Sequence, residues 1–180
     1  MPHRRCWHSS TPIIDPVRRL FVTTVLCAVA VLPVARPVDA TPGLTGARGA
    51  APRQLGSISI PRLNVTSPIY SGATNAVYDR GVGHFPGTAL PGQWGNVVLG
   101  GHRTVNPRPF YDIQKLVKGD QILVTRAGRT YEYVVSRTMI VKPTSVWILN
   151  QSAERSLTIF TCHPRGSARQ RYVVMATLRP

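Results

Sequence analysis

Apolar residues fall into two regimes along this chain. Residues 20–35, LFVTTVLCAVAVLPVA, form one mostly apolar block, whereas from Leu55 onward apolar residues recur at alternate positions in short runs broken by Pro and Gly. Alternation of this kind sends successive side chains to opposite faces and marks strands. Ile58 and Ile60, then Leu63 and Val65, begin the series, interrupted by Pro61 and Pro68. Residues 75–78 fit one helical turn, and the segment 81–95, GVGHFPGTALPGQWG, reads as loop. Residues 96–99 form an apolar strand that runs into Gly100, Gly101 and His102, and residues 109–117 fit a short amphipathic turn. Residues 122–125 and 130–141 predict a hairpin across Ala127 and Gly128, with a further helical turn at 144–149. Residues 157–162 and 171–176 are two strong strands joined by a Pro/Gly/Ser connection. About eight short strands at this spacing predict an all-β fold, a closed or nearly closed barrel with short helices in its loops.

The apolar block orders the chain ahead of that domain. A basic tail at 1–19 carries Arg4, Arg5, Arg18 and Arg19, a hydrophobic segment follows at 20–40, a Gly-, Ala- and Pro-rich flexible linker at 41–54, and the domain at 55–180. The apolar run makes roughly 24 Å of helix against a hydrocarbon core of about 30 Å. Two readings stay open. One is a single-pass signal-anchor with its arginine-rich end in the cytoplasm; the other is a signal peptide cleaved after Val38-Asp39-Ala40. Both put residues from about 41 onward outside the cytoplasm, held at the outer face of the membrane or released by secretion.

Charge and cysteine content narrow the chemistry. The chain carries a formal +15; its first forty residues hold five arginines against two aspartates, which leaves a net +12 for residues 41–180. That balance favours an anionic partner such as a wall polymer or lipid. Nucleic-acid binding is disfavoured, because only 7% of residues are aromatic and several of those belong to the core pattern. Of the three cysteines, Cys6 lies in the tail and Cys27 in the hydrophobic segment, so the domain has one thiol, no intrachain disulfide and no zinc-ligand spacing. Its five acidic residues are scattered, which argues against a dedicated metal site.

Cys162 ends an apolar strand just before a loop. A lone cysteine is commonly an inert, buried small hydrophobe. In an extracytoplasmic domain, however, an unpaired thiol is an oxidation liability that a reactive role explains. A thiol nucleophile needs a proton acceptor, and His102, also at a strand end and preceded by two flexible glycines, is the better partner. His84 sits in a turn-rich loop, where a surface role is expected, and His163 adjoins Cys162 and so points to the other face of an extended strand. Arg171 opens the next strand, where a rigid element would hold its guanidinium near the thiol for oxyanion stabilisation; Arg165 and Arg169 fall in the connection and read as surface charge. Thr161, next to the thiol, is a candidate substrate contact.

These residues resemble a family. LTIFTC at 157–162 followed by His163-Pro164 and Ser167-Ala168-Arg169-Gln170-Arg171, together with GVGHFPGTALPGQWGNVVLGGHRT at 81–104, is similar to the catalytic segments of sortases, the class E (housekeeping-like) group above all. The resemblance implies an eight-stranded β-barrel and a site of Cys162, His102 and Arg171, with no cofactor. It implies a cysteine transpeptidase that cleaves an LPXTG- or LAXTG-like sorting signal between Thr and Gly through a thioacyl intermediate. The acyl group then passes to an amine of a cell-wall precursor or a pilin. The chain departs from the class E pattern after Thr104, where Val105, Asn106, Pro107 and Arg108 replace an expected aromatic and Gly, with Tyr111 the nearest substitute. A basic extracytoplasmic binding module that keeps the barrel without catalysis is the rival reading.

Overall fold

The computed structural model describes residues 51–180. The expected tail at 1–19, the hydrophobic segment at 20–40 and most of the linker lie outside these residues. Among the described residues no helix is long and apolar enough to cross a membrane.

Eight strands are present: β1 (Gln54–Ile60), β2 (Val65–Ser71), β3 (Val82–His84), β4 (Gly95–Gly100), β5 (Gln121–Arg126), β6 (Arg129–Val141), β7 (Arg155–His163) and β8 (Gln170–Leu178). They close into a barrel in the order β1-β2-β3-β4-β7-β8-β6-β5. A single helical turn, α1 (Asn75–Tyr78), and short 3-10 helices at Pro61–Leu63, Ile113–Lys115 and Val146–Leu149 occupy the connections. The all-β barrel read from alternation is therefore the observed fold. Pairing is antiparallel except for β2–β3 and β4–β7.

Two elements differ from expectation. The stretch 81–95 contains β3, three buried residues too short to show a period. Also, β2 runs through Pro68, which lies just ahead of the first β2–β3 pair, Ile69↔Val82, at an edge of that ladder where proline is tolerated. The β5–β6 hairpin turns as expected: Ala127 and Gly128 both take positive φ, 49° and 76°, as a two-residue I′ turn requires.

Inward-facing residues of every strand make the core, among them Ile58, Ile69, Val82, Leu99, Val124, Tyr133, Leu157, Ile159 and Val174. Phe110, Ile113 and Leu116 of the β4–β5 connection join the same cluster. This connection is therefore anchored by burial of apolar surface rather than by pairing. The β6–β7 connection is pinned against the outer face of β4. Asn96 Nδ2 donates to the carbonyls of Ile148 and Asn150, and Thr158 Oγ1 donates to Asn96 Oδ1 at 2.9 Å. β4 is consequently buried along its whole length.

Candidate active site

Cys162 and Arg171 are direct partners in the antiparallel β7–β8 ladder, which sets their Cα atoms about 5 Å apart with both side chains on one face. β4 runs parallel to β7 with Gly100 opposite Phe160. β4 ends at that pair, with His102 two residues beyond it and Cys162 two residues beyond Phe160 at the same end of the sheet. Alternation along β7 turns Leu157 and Ile159 into the core and Phe160 and Cys162 outward. The thiol is free and half-buried. Three residues far apart in sequence thus meet at one end of the barrel.

The ring of His102 is held on two sides. Its Nε2 lies 2.8 Å from Asp79 Oδ1. A carboxylate only accepts, so Nε2 carries the proton and Nδ1 is the free acceptor. Tyr78, the last residue of α1, packs edge-on against the imidazole with centroids 5.8 Å apart. Burial pushes the Tyr78 phenol up to about 12; the Arg171 charge opposes this and the Cys162 charge adds to it, so both groups lie within electrostatic reach of the phenol. The reading of single residues missed Tyr78 and Asp79, because nothing in a four-residue helical turn announces what faces it.

Gly100 and Gly101 serve this site through space rather than backbone freedom: neither has a positive φ. A Cβ on Gly100 would lie 2.6 Å from Tyr78 Oη and 2.7 Å from Phe160 Cζ, and one on Gly101 would lie 2.8 Å from Phe110 Cε2. Gly100→Ala is expected to cost about 1–3 kcal/mol by overpacking, read by urea unfolding. By displacing Tyr78 from His102 it should also lower peptide turnover beyond what the unfolded fraction explains.

Thr161, the expected substrate contact, faces inward and is 2% exposed, with Oγ1 donating to the Gly101 carbonyl at 2.7 Å. Its role here is to tie β7 to the segment that carries His102. Arg171 Nη1 donates to the carbonyls of Ala168 and Gln170 at 2.8 and 3.0 Å, which leaves Nε and Nη2 without a protein acceptor among the described residues. Arg165 does more than supply surface charge: it pairs with Asp112, donates to Tyr111 O and stacks over the Tyr111 ring at 4.0 Å, with Arg108 also over that ring at 4.9 Å. The loop after β7 is thereby clasped to the loop after His102.

The other histidines have structural partners. His84 is buried on β3 rather than in a surface loop, and its Nε2–H donates to Ala89 O at 2.8 Å. His163 accepts at Nδ1 from Arg103 Nη1 at 2.7 Å. Burial, then the Arg103 charge, holds its pKa below the usual histidine range. Folded protein thus binds this proton less readily than unfolded chain, and stability should fall as pH drops through about 6.5. A melting series from pH 7.5 to 5 checks this; His163→Gln should flatten the decline.

A cleft of about 220 Å³ opens on the outer face of β7 and β8, lined by Trp147, Ile148, Thr158 and Met175 among others. Thr158 shares the strand face of Cys162, so this cleft lies on the Cys162 side of the sheet.

An eight-stranded closed barrel with thiol, imidazole and guanidinium at the ends of three adjacent strands is a recognisable class of architecture. Residues 58–179 match the Sortase domain family. The chain belongs to the sortase family. It is 31% identical to Sortase D of Bacillus subtilis over 66% of this chain and 61% of that protein, and 32% identical to Sortase SrtE1 of Streptomyces coelicolor over 65% of this chain and 38% of that one. The chain therefore spans less than two thirds of the length of these relatives. Among solved structures, a Clostridium perfringens Sortase D5 transpeptidase superposes with a TM-score of 0.65 at 35% identity, over 71% of this chain and 79% of that one. A lid mutant of Sortase A from Corynebacterium diphtheriae gives 0.69 at 30% identity, over 76% and 75%.

Proposed function

We propose that this protein is a cysteine transpeptidase of the class E sortase type, acting on secreted proteins that bear an LPXTG- or LAXTG-like sorting signal. The observation that carries the reading is the strand register that sets Arg171 across from Cys162, with β4, which leads into His102, paired in parallel beside β7. In this reading His102 Nδ1 takes the Cys162 thiol proton, Sγ attacks the Thr carbonyl carbon to form the C–S bond, and the Thr–Gly C–N bond breaks as Nδ1 delivers that proton to the leaving amine. Arg171, through Nε and Nη2, holds the carbonyl oxygen while it carries negative charge. An incoming amine, from a cell-wall precursor or a pilin, then loses a proton to His102 and displaces the thiolate.

The cleft beside Trp147, Thr158 and Met175 supports an extended peptide approaching Cys162 along β7. The class assignment rests on the resemblance carried by the GGHRT, FTCHP and SARQR segments. The apolar block at 20–40 supports attachment by a single N-terminal anchor, with the domain on the outer face of the membrane, where exported substrates emerge.

The test incubates the full-length protein with LPXTG and LAXTG peptides and hydroxylamine, followed by chromatography and mass spectrometry. Scission between Thr and Gly with a hydroxamate on the Thr carboxyl is expected. Intact peptide, or cleavage at another bond, would contradict the proposal.

A further inference from the structure

Arg103 follows His102 directly, yet it is 4% exposed. Its partners are all neutral: Nη1 donates to the Cys162 carbonyl at 3.2 Å and to His163 Nδ1 at 2.7 Å, Nη2 donates to Gln114 Oε1 at 2.7 Å, and the guanidinium carbon lies 5.7 Å from the Tyr172 ring centre. Its Nε is buried with no acceptor at all. Burial lowers its pKa below the arginine norm, with the Arg165 charge adding to this. A buried cation without a paired carboxylate is costly to stability, which directs attention to a role other than packing.

The β4–β7 ladder supplies that role. Its last pair is Gly100↔Phe160, two residues short of His102 and Cys162. Beyond that point no backbone pairing holds the two segments at a fixed separation. Two crossing ties replace it: Thr161 of β7 donates to Gly101 O, and Arg103 of the His102 segment donates back to Cys162 O. Arg103 is 4% exposed while the His102 side chain is 16% exposed, so the tie lies beneath the site.

We propose that Arg103 is a positioning residue: its buried guanidinium extends the β4–β7 register past the end of the ladder and holds the Cys162 peptide level with His102. This rests on the transpeptidase reading for its catalytic consequence, though not for its structural one. The same Nη1 fixes His163 Nδ1 as an acceptor, which leaves His102 as the imidazole free to exchange protons with the thiol. The positive charge behind the Cys162 carbonyl also favours the anion that Sγ carries as it attacks.

The experiment uses the full-length protein and measures single-turnover acylation of Cys162 by a sorting-signal peptide in wild type, Arg103→Met and Arg103→Lys, well below their melting temperatures. Arg103→Met should reduce the acylation rate constant at saturating peptide about 100-fold, the scale of a misplacement near 1 Å. The half-saturating peptide concentration should stay within about threefold, because Arg103 does not line the cleft beside Trp147, Thr158 and Met175. Arg103→Lys keeps the charge and one donor at the Cys162 carbonyl and should recover about tenfold of that loss. Acylation within about threefold of wild type in Arg103→Met, or a loss that merely tracks the unfolded fraction seen by circular dichroism, would overturn the proposal. In parallel, alkylation of Cys162 by iodoacetamide, read by peptide mapping, should slow in Arg103→Met and recover in Arg103→Lys. If wild type forms no thioacyl adduct, the transpeptidase reading fails, and equal alkylation rates in all three proteins then reject the positioning role independently.

Discussion

Replacing Cys162 with Ala is expected to leave the barrel folded and to abolish peptide scission and transfer together. The thiol is half-buried at the end of β7, unpaired and outside the core cluster, so removing one sulfur atom there leaves almost no cavity to be filled. Its chemical contribution has no substitute nearby. The other hydroxyls on this strand are already engaged: Thr158 and Thr161 are 2% exposed and donate to neighbours, and Ser156 donates to Gly95 O six residues away from Cys162 in the chain. A drop of at least about 10³-fold in cleavage is therefore expected, since no covalent intermediate remains to divide the reaction. Cys162→Ser should behave in the same way, because an alcohol beside this histidine is a far weaker nucleophile than a thiolate. Chromatographic cleavage assays, with circular dichroism to confirm folding, check both. A Cys162→Ala protein that keeps its full activity would support the rival reading, a binding module that retains the barrel without using its thiol.

His102→Ala should lower cleavage by about 10²–10⁴-fold, the usual contribution of a positioned acid–base group. The effect should exceed that of Asp79→Asn. Asp79 orients the ring through a 2.8 Å contact, but its side chain is 58% exposed while that of His102 is 16% exposed. Water can replace part of an exposed contact, so Asp79→Asn is expected to cost about tenfold or less. The ordering matters more than either value. Equal losses from the two substitutions would mean that Asp79 takes part in proton transfer itself, and no loss from His102→Ala would remove the imidazole from the mechanism. Steady-state kinetics on the three proteins decide between these outcomes.

Much of this arrangement was legible in the chain before any coordinates. Ile58 and Ile60, Leu157 and Ile159, and Val174 and Ala176 alternate as a half-buried strand must, and all six lie in the core. Cys162 and Arg171 could be paired in advance because each sits at the end of a strong strand and a short connection forces the two strands to be antiparallel neighbours. β3 was not legible: Val82–His84 is buried by its neighbours in the barrel, and three residues with Gly83 at their centre carry no period of their own. Gly100 and Gly101 looked like conformational hinges, whereas Tyr78, Phe160 and Phe110 crowd them and leave no room for a Cβ.

Tyr78, Asp79 and Arg103 escaped for a different reason. Their roles depend on what faces them across the fold, and sequence spacing says nothing about that for residues on different elements. Arg103 could have been flagged by one signal: it directly follows the candidate histidine, so if that side chain faces outward its neighbour's charge turns inward, where a lone cation is costly. Thr161 was singled out for its adjacency to the thiol, while the strand's alternation turns its hydroxyl toward Gly101.

The most direct test of the account weighs the intact protein. Wild type mixed with a sorting-signal peptide and quenched early in acid should gain the mass of the peptide fragment ending at Thr, with loss of one water equivalent. Proteolytic mapping should place that adduct on Cys162, and hydroxylamine should remove it, as a thioester requires. Slow cleavage with no adduct on Cys162, or an adduct of the same mass on another residue, would contradict the claim that the thiol, His102 and Arg171 work as one centre.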